Sequence, residues 1–172
     1  ATGSFSRHQR EPFQIHNTSV VSQIKSGFLL IDQQAAHERI LYEKYLEVLD
    51  TNQGYTQKEL FPRTLNLSPA DTELMKEMLP SIQLLGFDIQ EFGADTFIIY
   101  GVPVDLKSGS DETKILESLL NQYRDNIDLN IGLRDNIARS MARSASISHG
   151  QILTGIEMKE LIDRLFACAM PF

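Results

Sequence analysis

The sequence predicts an α+β fold in which a sheet-plus-helix part is followed by a small βαββα unit and by two closing helices. Three observations lead there. Short β-branched runs crowd the first third of the chain, at Phe13–His16, Ser19–Ile24 and Phe28–Ile31. A cluster of turn formers, Asp50-Thr51-Asn52-Gln53-Gly54, then interrupts the chain. Beyond it, stretches with apolar residues at helical spacing alternate with β-like stretches in the order strand, helix, strand, strand, helix.

Taken in order, residues 1–12 lack an apolar signal core and are read as a linker or a cloning remnant. Lys25-Ser26-Gly27 is a hairpin turn leading into Phe28-Leu29-Leu30-Ile31. These four residues are apolar on both faces, so the strand is expected to be covered on both sides, by its own helices and by other layers or a partner subunit. Ala35 to Leu49 forms a helix with Ile40, Leu41, Tyr45, Leu46 and Leu49 on one side. The boundary follows near residue 53.

Leu60 to Leu67 is a strand interrupted by Pro62. Ser68-Pro69 starts a helix, with serine at the N-cap and proline at N1, whose expected buried stripe is Leu74, Met78, Ile82 and Leu85. Gly86 stops it. Phe87 to Phe92 and Thr96 to Val102 are strands, and Ser110-Asp111-Glu112 introduces a helix from Ile115 to Tyr123. Leu133 to Ser148 and Ile156 to Ala167 close the chain as helices, and there is no internal repeat.

Composition narrows the function. At 172 residues, 42% hydrophobic and 23% charged, the chain has the make-up of a soluble globular protein. A net charge of −7 leaves room only for local, weak nucleic-acid contact. The one cysteine, Cys168, excludes a disulfide framework and is read as a small buried residue. No apolar run approaches the roughly 20 residues needed to cross a bilayer, and a reducing cytoplasm is the expected location, without membrane partners. No nucleophile elbow or Gly-rich phosphate loop is present.

One segment carries chemical information. Asp32-Gln33-Gln34-Ala35-Ala36-His37-Glu38, continued to Glu43, resembles the metal motif of nuclease-proficient members of the MutL family of bacterial mismatch-repair proteins, in its C-terminal domain. That motif runs Asp-Gln-His-Ala, two variable residues, Glu, four variable residues, Glu. Gln34 stands where the histidine belongs. A second family motif, Ala-Cys-Lys/Arg-Ala-Ala-Ile-Lys, is matched by Ala142 to Ser148 with Arg143 at the cysteine and Ser148 at the closing lysine. A carboxamide is a poor ligand and a guanidinium cannot ligate, so Asp32, Gln34, Glu38 and Arg143 are read as a degenerate motif holding no metal and no cofactor. Arg143 is expected to lie beside Glu38 or Asp32 as an ion pair in place of the metal. His37 is expected to have a surface or capping role, and His16 and His149 to be ordinary hydrogen-bonded histidines. Arg134, Arg139 and Arg143 are read as a solvated helix face.

The resemblance implies a dimerisation subdomain built from both chain ends, residues 13–53 and 133–172, with an external regulatory subdomain, residues 54–132, inserted between them. It implies an ATPase in an N-terminal region outside these residues, which would supply ATP binding and most DNA contact. Gln57-Lys58-Glu59-Leu60-Phe61-Pro62 is similar to sliding-clamp-binding peptides, with Gln57, Leu60, Phe61 and Pro62 as anchors. The dimer interface is expected at Phe28, Leu29, Leu30, Ile31, Leu161 and Leu165. The resulting expectation is a homodimerisation and docking domain for the clamp and other mismatch-repair proteins, without nuclease activity. The alternative is a metal-dependent DNA-nicking endonuclease completed by a Cys-Pro-His-Gly-Arg-Pro tail beyond Phe172.

Overall fold

In a computed structural model, residues 10–106 and 110–171 are described. The fold is α+β, with two three-stranded antiparallel sheets and five helices among these residues. The strands are β1 (Phe13–Ile15), β2 (Ser19–Ile24), β3 (Gly27–Asp32), β4 (Thr56–Asn66), β5 (Asp88–Glu91) and β6 (Thr96–Pro103). The helices are α1 (Gln33–Thr51), α2 (Pro69–Leu84), α3 (Glu112–Ile127), α4 (Leu133–Ala145) and α5 (Gly155–Ala167). The middle of the chain therefore has the expected order β4-α2-β5-β6-α3. Two compact units divide the described residues: those up to 40 with those from 147 on, and those between 41 and 146.

In the first unit the sheet order is β1-β2-β3, with the hairpin register running from Ser19 opposite Asp32 to Ile24 opposite Gly27. Directly opposed residues of antiparallel strands share a face. Val20 and Ile31 thus point to one side, where they pack with Ala36, Ile40, Ile147, Leu153, Met158, Leu161 and Leu165 as the unit's core. Phe13, Ile15, Val21, Phe28 and Leu30 point to the other. There Phe28 is 68% and Leu30 61% exposed, and Val21, in the central strand between Phe13 and Leu30, is buried.

The six residues expected at the interface divide between these two faces. Leu161 and Leu165 are buried in the unit's own core with Ile31, and Leu29 packs against the same cluster. Of the six, Phe28 and Leu30 are the exposed ones. The reason is the two-residue period of a strand, which sends neighbours in a uniformly apolar run to opposite faces.

Helix α5 starts at a reciprocal capping box: Thr154 Oγ1 accepts from Glu157 N, and Glu157 Oε2 accepts from Thr154 N at 2.8 Å. Helix α4 ends at Ala145, three residues before its expected end, because Ser146 is extended. The following backbone is instead drawn to the start of α1.

In the second unit the sheet order is β4-β6-β5, and Leu65, Phe97, Ile99 and Ile89 meet Met75, Met78, Ile82, Leu116 and Leu119 in its core. Ser68 caps α2 as expected, but Met75 rather than Leu74 is fully buried in its stripe. Gly86, at φ +109°, ends the connection and lies so close to Tyr55 and Pro103 that a Cβ would meet the Tyr55 carbonyl oxygen. Helix α4 packs on α3 in this unit, tied by Asn136 Nδ2 donating to Tyr123 O and Ser144 Oγ to Ser118 Oγ. The sequence expectation grouped residues 133–172 with residues 13–53.

Candidate functional site: a capped helix start and two displayed apolar surfaces

The degenerate motif lies at the junction of β3 and α1, where a strand delivers Asp32 directly to a helix N-terminus. Asp32 Oδ1 accepts the Ala35 N–H at 2.9 Å, which makes it the helix cap. His149 Nε2 lies 3.0 and 3.1 Å from the two carboxylate oxygens. Burial pushes the Asp32 carboxyl up, but the Ala35 N–H, His149 and the Gln34 N–H together outweigh it and hold the group below the usual aspartate range. Gln34 Nε2 donates to Glu38 Oε1 at 3.3 Å, one helical turn on.

Gln33 is fully buried beside them. Its Nε2 donates to the carbonyls of Ser148 and Gln151, and its Oε1 accepts from Gln14 Nε2 at 2.7 Å. Gln14 Oε1 in turn accepts from Leu153 N, and His37 Nδ1 accepts from Ile147 N at 2.8 Å. The motif thus fastens segment 147–153 to the first sheet, joining the two stretches of sequence that make the unit. Sequence reasoning took His149 as an ordinary hydrogen-bonded histidine without naming its partner and gave Gln33 no role of its own; 115 residues separate Gln33 from Ser148, and no local pattern announces such a pair.

These donors do not fit a Zn-type ion. The group at 34 is a carboxamide whose N–H is turned to Glu38, and Asp32 is occupied by a backbone N–H and an imidazole. Among the described residues, no three His, Cys, Asp or Glu side chains converge as a metal site requires. Arg143, in the last turn of α4, is exposed, and its carbonyl accepts from Ser146 Oγ. The side chain beside Asp32 is the His149 imidazole. Arg139 stacks over the Tyr42 ring at 5.0 Å, and Arg134 pairs with Asp50.

The proposed anchor peptide lies in β4, an edge strand. Lys58 opposes Gly101 and Arg63 opposes Ile99, so the four residues Glu59 to Pro62 stand against Tyr100 alone. This bulge displays Leu60, 89% exposed, and Phe61, 83% exposed. Pro62 has no N–H to offer a ladder, and the bulge is where a strand tolerates it. Gln57 is exposed and still in the ladder, opposite Val102.

An α+β assembly domain is the class these features define: one unit exposes an apolar sheet face, the other an apolar bulge, and the polar motif is engaged in holding backbone. Residues 13–153 match the family described as the MutL C terminal dimerisation domain. The chain belongs to that family. It is 42% identical over 165 residues to the DNA mismatch repair protein MutL of Chloroherpeton thalassium, covering 95% of this chain and 26% of that protein. It is 40% identical over 161 residues to that of Chlorobium phaeobacteroides and 39% identical over 167 residues to that of Chlorobaculum tepidum. The alignments cover 93% and 95% of this chain, and 26% and 27% of those proteins. The chain spans about a quarter of the length of the curated relatives it matches. No helix among the described residues is long and apolar enough to cross a membrane.

Proposed function

We propose that this domain holds two copies of a mismatch-repair protein together through the open face of its first sheet and does not itself cut DNA. The observation that carries the reading is the placement of Phe13, Ile15, Phe28 and Leu30 on one face of a sheet whose opposite face is already a closed core. Contiguous apolar surface of this kind is costly to leave in water and marks an association site. A second copy presenting the same face satisfies it under two-fold symmetry. Joining two chains here would turn any encounter between domains attached to them into an intramolecular event at raised effective concentration. The ATPase expected outside these residues would be such a domain.

Gln34 and Arg143 support the non-catalytic part of the reading, since neither side chain replaces a histidine or thiolate as a metal donor. Light scattering tests the assembly: at micromolar concentration the protein is expected at twice its monomer mass, with an interface burying at least about 1,200 Å² in total. A monomer mass under those conditions overturns the proposal.

A second role is favoured by the bulge. Leu60 and Phe61 are large apolar side chains held in solvent on a constrained backbone, the form in which a peptide offers anchors at low ordering cost. The partner we propose for them is a sliding clamp with an apolar pocket.

A further inference from the structure

We propose that Glu112 is the positioning residue of this docking bulge, acting through Arg63 to fix where the chain re-enters the sheet. The inference rests on the reading of Leu60 and Phe61 as anchors. Its starting point is register. Arg63 opposes Ile99, two residues before Leu65 opposes Phe97, so Arg63 is on the same side of β4 as residues whose side chains form the core. The Arg63 side chain is itself 54% exposed, and from that side of the strand it reaches a carboxylate that is not. Glu112, the first residue of α3, supplies it: Arg63 Nε lies 2.7 Å from Glu112 Oε1, and the Glu112 side chain is only 6% exposed.

No donor hydrogen is in line with Oε1, so the contact is Coulombic rather than an aligned hydrogen bond. Asp111, the α3 cap, stands 4.0 Å from the Arg63 guanidinium and adds a second charge. A buried carboxylate without its cation is strongly unfavourable, so the pair penalises any slip that withdraws Arg63. A one-residue slip of β4 would turn Arg63 outward and Leu65 with it. Arg63 is also the first residue past the bulge to rejoin the ladder. Glu112 therefore sets how many residues remain in the bulge, and with that the direction of Leu60 and Phe61. Neither acidic residue needs to touch the partner.

The test compares Glu112→Gln and Arg63→Gln with the unaltered protein, alone and combined with Leu60→Ala/Phe61→Ala. Clamp affinity is expected to fall about tenfold in either single variant, equivalent to about 1.4 kcal/mol, and not to fall further when added to the anchor double variant. Amide exchange in the free protein is expected to quicken at Glu59, Leu60, Phe61 and Arg63, the residues of 59–63 that carry an N–H, while α2 and β5 stay protected. This second readout needs no partner. If the anchor double variant binds normally, the docking reading fails, and the exchange result still decides whether Glu112 fixes the bulge. Unchanged exchange at residues 59–63 in both single variants overturns the inference. A Glu112→Gln variant that loses protection throughout the second unit also overturns it, because Glu112 then acts on the whole core.

Discussion

Asp32, at the aspartate position of the metal-motif pattern, acts as a helix cap. It caps α1 through the Ala35 N–H and binds His149, and together with Gln33 and His37 it holds segment 147–153 in place. Its carboxyl titrates below the ordinary value, so the carboxylate stabilises the fold above the unfolded-state value of about 3.9 and loses that effect as pH falls through the folded-state value. Asp32→Asn is therefore expected to be less stable than the unaltered protein at neutral pH, with the difference closing below about pH 3.9. Urea unfolding across a pH series measures it, and a difference independent of pH contradicts the assignment. The motif itself was legible from its spacing. The expectation that an arginine would stand in for the cation looked to Arg143 because that residue replaced a near-site cysteine. The contact found at Asp32 is made by the His149 imidazole, in the segment that follows the early end of α4.

Single elements were legible where a local rule sets them and blurred where a tertiary contact does. Ser68-Pro69 announced α2, and Lys25-Ser26 the β2-β3 turn, because capping and turn chemistry are local. Thr154-Gly155-Ile156-Glu157 carries a capping box that places the start of α5 at Gly155, a signal the apolar spacing alone set one residue late. The end of α4 had no such signal: just past it, Ile147 N donates to His37 Nδ1 and Ser148 O accepts from Gln33 Nε2, contacts that no local pattern announces. In β4 the proline suggested an interruption; the edge position turns it into a bulge inside one strand. Because Leu60 and Phe61 are solvent-exposed there, Leu60→Ala/Phe61→Ala is expected to abolish clamp binding, at about 2 kcal/mol or more for each anchor, with thermal stability nearly unchanged. Lys58→Ala is expected to change binding little. Titration of the clamp with each variant, beside a thermal melt, checks both; a folded double variant with full affinity removes the docking role.

For the whole molecule, the α+β class and the order of strands and helices followed from periodicity and turn residues. The turn cluster near residue 53 marks the end of α1, whereas compactness divides the chain at residues 40–41 and 146–147. Helix α1 continues unbroken through the first of these points, and no residue pattern signals a boundary inside a helix. The alternation of exposure along β3 was likewise hidden, because four consecutive apolar residues look alike on both faces until the register is known. Its outcome is the basis of the assembly proposed here: Phe28 and Leu30 face out, with no role in the unit's own core. The most direct test is the mass of the variant Phe28→Asp/Leu30→Asp, measured by light scattering together with its circular dichroism. A monomer with an unchanged spectrum is the predicted result, because charges on an exposed face disrupt association and spare the fold; a variant that keeps the dimer mass contradicts it.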